Sequence, residues 1–142
     1  MMILLSLVAS MSGFGKAKNS KKQGDIGIAA TLYYFSVEGY TVSLPISDSQ
    51  DYDLIVDIED KLYRVQVKTV YNKSEYGIYE ANLRVLGGNR SGTGKTKFFD
   101  PKKVDYVFIV TEVGDMYFIP NTVIEGHSTI SLGKKYSQYK IK

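Results

Sequence analysis

The 142-residue chain has no cysteine and a single histidine, His127. The first absence removes disulfides, thiolate zinc sites and cysteine nucleophiles together, and it fits a reducing compartment. The second excludes a His-based metal cluster, a Ser-His-Asp triad or a two-His nuclease centre within one chain, and leaves His127 as a structural or exposed residue. There is no internal repeat and no low-complexity segment. The opening apolar stretch, residues 1–11, is too short to cross a membrane as a helix. It also lacks a basic start and an A-x-A-like cleavage site. It reads as an appendage upstream of a start at Met11, with a weak export signal as the alternative.

What is present is enough apolar material for a core, 44% of residues, in a length that suits one domain. Residues 1–19 read as an apolar start and a flexible basic arm, and residues 20–142 as the folded domain. The net charge of +3 is modest, but its distribution is uneven. Lys16, Lys18, Lys21 and Lys22 precede the first regular element. Arg90, Lys95, Lys97, Lys102 and Lys103 form a second group, and Lys134, Lys135, Lys140 and Lys142 close the chain. The acids fall mostly between them. Basic segments around acidic centres suit a protein that grips phosphates and holds a divalent cation; ordinary solvated lysines give the same pattern.

Periodicity supplies the elements. Ser20 to Gln23 is an S-x-x-Q capping box, which predicts a helix starting there. Ile26, Ala29, Ala30, Tyr33 and Val37 recur at helical spacing, and Gly39 ends the helix. The period then changes to two. Strands are expected over 41–46, 52–58, 61–70, 76–86, 104–113 and 116–124, with a Gly-rich basic loop over 87–97 and a short strand in the tail. One helix followed by antiparallel-looking strands gives an α+β fold with a mixed central sheet.

The third strand carries the chemistry. Tyr63, Val65, Val67 and Thr69 share one face; Arg64, Gln66 and Lys68 share the other. A two-residue turn at Glu59-Asp60 sets Ile58 opposite Lys61 and hence Asp53 opposite Gln66, with Lys68 two residues on. A slip of one residue would separate the three. Asp53 offers a hard oxygen ligand for Mg²⁺, and the Gln66 amide oxygen a neutral second one. Lys68 can hold an attacking water or stabilise a phosphorane-like transition state. Asp25, early on the helix, is a candidate extra ligand; an acid favoured by the helix dipole is an equally good account of it. Asp51 and Asp57 read as surface acids. Gly94-Lys95-Thr96 lacks the first glycine and the following helix of a phosphate-binding loop. Gly77-Ile78-Tyr79 lacks the second half of a GIY-YIG motif.

Asp53-x₁₂-Gln66-x-Lys68 after a helix with an early acid resembles the PD-(D/E)XK nuclease superfamily, most closely its group I intron-encoded homing endonucleases. Gly24-Asp25, Gly39-Tyr40, Pro45, Tyr52-Asp53-Leu54 and Val65-Gln66-Val67-Lys68-Thr69 carry the likeness, across about a third of the chain. The pattern departs at Gln66, where the superfamily usually has Glu or Asp, and at Asp25, where it often has Glu. The resemblance implies a restriction-endonuclease-like core and a Mg²⁺-dependent endonuclease, with Mn²⁺ as a possible substitute. Asp53, Gln66, Lys68 and Asp25 would be catalytic, and Asp53, Gln66 and Asp25 metal-binding. Its substrate would be double-stranded DNA, contacted by Lys21, Lys22, Arg64, Arg90, Lys95, Lys97, Lys102 and Lys103. It further implies intron homing by a homodimer or homotetramer that is not secreted and acts in the cytoplasm or an organelle. Rival expectations are a Holliday-junction resolvase, a restriction-type nuclease, or a DNA-binding protein of the same fold without activity.

Overall fold

A computed structural model describes residues 19–86, 96–97 and 100–142. Helix α1 (Ser20–Val37) is followed by β1 (Thr41–Ser43), β2 (Leu54–Ile58), β3 (Lys61–Val70), β4 (Glu80–Asn82), β5 (Val85–Leu86) and β6 (Thr96–Lys97). Then come β7 (Tyr106–Thr111), β8 (Met116–Pro120), a one-turn helix α2 (Asn121–Ile124), β9 (Thr129–Ser131) and a closing 3-10 helix (Lys134–Tyr139). The main sheet runs β1-β2-β3-β7-β8. It is antiparallel except between β3 and β7, which are parallel. The long connection from β3 to β7 makes a parallel return possible, since such a crossover needs roughly a dozen residues. The fold is therefore the expected α+β arrangement of a mixed sheet and an N-terminal helix.

Helix α1 is capped by Asn19, one residue before the expected serine. The Asn19 side chain accepts a hydrogen bond from the Lys22 N–H at 2.9 Å. Asn and Ser are equivalent caps, so the sequence left the choice open. At the other end, Gly39 sits at φ 84°, Gly39 N–H bonds the Ser36 carbonyl and Tyr40 N–H bonds the Phe35 carbonyl. That pair of bonds is a Schellman closure, which needs a left-handed residue at the Gly39 position.

The buried stripe of α1 is Gly27, Ala30, Thr31 and Phe35. Of the expected face, Ala30 belongs to it and Ile26 packs at its edge, while Ala29 and Val37 are exposed. Apolarity misleads here because two buried positions work through size and backbone. Gly27 lets the helix press against β3, where an added Cβ would collide with the Thr69 methyl group. Thr31 hides its hydroxyl by donating to the Gly27 carbonyl at 2.8 Å.

The sheet is buried on both faces. Beneath α1, Phe35 packs with Leu54, Val56, Val65, Phe108 and Val110. On the reverse face Val107, Ile109 and Ile119 meet Leu83, Ile124, Ile130 and Tyr136. Two-sided burial explains why β7 reads as a continuous apolar run rather than an alternation.

Several expected strands are shorter or divided. The first stops at Ser43 rather than Ile46. The expected strand over 76–86 is two pieces: β4 leaves the main sheet to pair with β9, and β5 pairs with β6. A turn with Gly77 at φ 75° precedes them. The strand over 116–124 ends at Pro120, and residues 121–124 are helical. In the basic loop over 87–97, residues 96–97 form β6 and the rest lie outside the described residues. No helix among the described residues is long and apolar enough to cross a membrane. Gly27→Ala should lower stability by about 1–3 kcal/mol despite its better helix propensity, because the added methyl overpacks the contact with Thr69; urea unfolding of the two proteins measures it.

Candidate active site

The β2–β3 hairpin turns on Glu59 and Asp60, at φ 52° and 64°. Left-handed conformation at both central residues is the type I′ turn whose twist matches that of the flanking strands. The turn needs it even though neither residue is glycine. The resulting register pairs Ile58 with Lys61 and Leu54 with Val65. Just before β2, Asp53 N–H also donates to the Val65 carbonyl at 2.9 Å, so two residues face Val65 as in a bulge and the regular ladder stops at Leu54 instead of running on to an Asp53–Gln66 pair. The Asp53 carboxylate in turn accepts the Val67 N–H at 2.7 Å. Backbone bonds on both sides of the residue thus fix its side chain.

Asp53, Gln66 and Lys68 line one open pocket of about 500 Å³, together with Asp51, Asn82 and Arg84. Gln66 is only 6% exposed, and its amide oxygen is enclosed without a hydrogen-bond partner. An orphaned buried acceptor costs about 1–3 kcal/mol and calls for a reason. The Lys68 ammonium donates to the Arg84 carbonyl at 2.9 Å. Withdrawal of water by the surrounding protein raises the Asp53 pKa, against the lowering pull of the Val67 N–H and of Lys68. The same withdrawal lowers the Lys68 pKa, against the raising influence of Asp53. Asp53 is nevertheless exposed and Lys68 half-buried, so both groups remain within reach of solvent and of a ligand.

Asp25 is not brought to this pocket. It is exposed, whereas Gly24 lines the pocket and Ile28, one turn on, lines an adjoining groove that also touches Asp53. Asp25 stands one residue off that line, about 100° around the helix. Asp51, expected to be a surface acid, is 9% exposed and lines the pocket. The Lys103 ammonium lies 3.8 Å from its carboxylate. The alternation Asp51-Tyr52-Asp53 was the available signal, because residues two apart in extended chain share a face.

Arg64 is spoken for. Its guanidinium donates from Nε and Nη2 to the Asp105 carboxylate at 3.0 Å each, and from Nη1 to the Lys102 carbonyl at 2.9 Å. Asp105 also accepts the Arg64 backbone N–H at 2.8 Å, and Asp105 N–H returns a bond to the Arg64 carbonyl. This clasp joins β3 to the start of β7, so Arg64 serves the sheet rather than a phosphate. Lys21, Lys22, Lys102 and Lys103 are exposed. Arg90 and Lys95 lie outside the described residues, as does the Lys97 side chain.

Among the described residues no three acidic, histidine or cysteine side chains gather into a cation site. A cation here would therefore depend on a neutral oxygen, and the unpartnered Gln66 amide oxygen beside Asp53, with Asp51 in the same pocket, fits that need.

Comparison with known proteins gives the family and the fold. A family model described as PD-(D/E)XK endonuclease matches residues 18–138. The solved structure of a bacterial homing endonuclease, I-Ssp6803I, superposes with a TM-score of 0.73 at 25% identity, covering 86% of this chain and 88% of that one. No curated protein matches the sequence.

The Arg64 clasp sets a pH test away from the pocket. The guanidinium, through its hydrogen bonds first, lowers the Asp105 pKa. A depressed carboxylate contributes stability that is present above its unfolded pKa and lost as pH falls through its folded one. Asp105→Asn should cost about 1–3 kcal/mol at pH 7. The gap should close in the acid range below the usual carboxylate pKa, as read by urea unfolding of both proteins across pH.

Proposed function

Because this chain belongs to the PD-(D/E)XK endonuclease family, we propose that it is a metal-dependent, site-specific endonuclease hydrolysing phosphodiester bonds in double-stranded DNA, with Asp53, Gln66 and Lys68 at its centre. The observation that carries the reading is the enclosed, unpartnered amide oxygen of Gln66 in a pocket with Asp53 and Lys68. The cation is Mg²⁺, with Mn²⁺ as substitute, held by Asp53 and Gln66. Asp51 is the second carboxylate in place of Asp25, which compensates for a neutral amide ligand. When bound, the cation supplies a Lewis acid for the scissile phosphate and lowers the pKa of a bound water.

The chain's own groups do the rest. The Val67 N–H holds the Asp53 carboxylate in one orientation. Lys68 keeps one donor on the Arg84 carbonyl, which leaves two for the attacking water or the developing charge on phosphorus. Exposed Lys21 and Lys22, at the start of α1, and Lys102 and Lys103, at the entry to β7, would meet the DNA backbone. Arg90, Lys95 and Lys97 extend that contact from the basic loop.

Similarity to a bacterial homing endonuclease supports intron homing as the role. Residues 20–142 form the endonuclease domain, with residues 1–19 as its arm. One copy of the site cuts one strand, so a double-strand break requires a homodimer, or a homotetramer built of dimers, with two-fold symmetry matched to the DNA. The protein acts inside the cell, in the cytoplasm or an organelle, where DNA is accessible.

Nicking of a supercoiled plasmid carrying a candidate site, with and without Mg²⁺, tests the reading. Wild type should cut only with the metal. Lys68→Ala should cut at least about 10²–10³-fold more slowly, with DNA affinity largely kept. A wild type that binds DNA and cuts no substrate with any divalent metal would leave a DNA-binding protein of this fold.

A further inference from the structure

We infer that Leu44, Pro45 and Ile46 form an apolar wedge that enters the DNA beside the cut phosphate and partly unstacks one base step. The inference rests on the nuclease reading given above. Ile28, Leu44, Pro45, Ile46 and Tyr52 give the groove next to the active-site pocket an apolar wall. Ile46 is fully exposed and Leu44 more than half exposed. Single apolar residues scattered over a surface need no explanation. These two flank a proline in one groove, and Asp48, Gln50 and Asp53 line both that groove and the pocket. A strand whose phosphate reaches Asp53 therefore carries its neighbouring sugars and bases over the groove.

Charge decides which part of the DNA the groove accepts. None of the described residues lining it is basic, while Asp48 and Asp53 are acidic. A second phosphate would be repelled there; base faces and deoxyribose edges would not. Leu, Ile and Pro are among the side chains that insert between base steps from the minor groove and kink the duplex. The segment is built to keep its shape under that load. β1 ends at Ser43, which pairs with Ile55 of β2, so Leu44 leaves directly from a paired strand. Pro45 has a fixed φ and confines Leu44 to extended backbone. Beyond Ile46, the Ser47 and Ser49 hydroxyls share a hydrogen bond at 2.9 Å in the bend that leads on to Asp53. Kinking is easier at flexible pyrimidine–purine steps, so the wedge gives the enzyme a sequence preference near the cut without touching a base edge.

Fluorescence of a duplex carrying the candidate site tests the wedge, with 2-aminopurine placed in turn at each step and no metal added. Wild type should raise the emission at one step, as a base there loses its stacking partner. The full-length Ile46→Ser variant should leave that emission low even when the duplex is saturated. Its affinity for the duplex should fall roughly tenfold or more, and Leu44→Ser should act in the same direction. The unfolding midpoint and Mn²⁺ binding should stay at wild-type values, because Ile46 is exposed in the free protein. The salt dependence of binding should also stay, whereas losing one phosphate contact would lower its slope by about one. A wild type that binds without raising the emission at any step overturns the wedge alone, as does an Ile46→Ser that binds as tightly or raises it equally. A wild type that raises the emission but cuts no plasmid with any divalent metal overturns the nuclease reading and leaves the wedge to a DNA-binding protein. A wild type that binds no duplex overturns both. If free Ile46→Ser sediments as a smaller assembly than wild type, the segment covers a second copy of this chain and the wedge is wrong.

Discussion

The register of the β2–β3 hairpin is the constraint on which the site depends. Side chains alternate faces along a strand, so a slip of one residue would turn Gln66 and Lys68 toward α1 and Val65 away from it. Two features hold the register. The Glu59-Asp60 turn fixes it from one end at the expense of two non-glycine residues in left-handed conformation, which costs roughly 1–2 kcal/mol per residue. Burial of Leu54, Val56 and Val65 beneath α1 fixes it along the strands. Just before β2, the bonds from Asp53 N–H to the Val65 carbonyl and from Val67 N–H to the Asp53 carboxylate hold the acid in the pocket that Gln66 lines.

The rest of the sheet keeps that hairpin still. β3 is the central strand, gripped by β2 on one side and by parallel β7 on the other. The Arg64–Asp105 clasp secures the entry to the parallel pairing with both side-chain and main-chain bonds. Gly27 then allows α1 to close on Val67 and Thr69, on either side of Lys68 in sequence. Rigid strands rather than loops thus carry Gln66 and Lys68, while Asp53 stands just outside β2. The pocket contains a penalty that stability alone would remove, an acceptor without a donor, beside an acid and a lysine whose pKa values are shifted in opposite directions. Both features are of the kind that concentrates at functional sites.

Much of this was legible in the sequence because it depends on local periodicity. The bounds of β3, the hairpin register, the mixed sheet and the helix followed by Gly39 come from two-residue and 3.6-residue patterns. The parts that were not legible depend on distant partners. Nothing local to Arg64 announces Asp105, forty-one residues on, so its guanidinium read as a phosphate contact. The face of α1 was misjudged because Gly27 and Thr31 are buried for their size and bonding. The helix phase then made Asp25 look useful, although the line facing the site runs through Gly24 and Ile28. Asp51 was missed because it read as a surface acid, although it is 9% exposed. β4 and β5 merged into one strand because their separate partners, β9 and β6, lie far along the chain.

The central claim is that Gln66 is buried without a partner because a divalent cation completes it. A Mn²⁺ titration of wild type and Gln66→Met, followed by electron paramagnetic resonance, tests it most directly. The account predicts binding by wild type that weakens roughly tenfold or more when the amide oxygen is removed, in a variant that still folds. Equal affinity in the two proteins would contradict it.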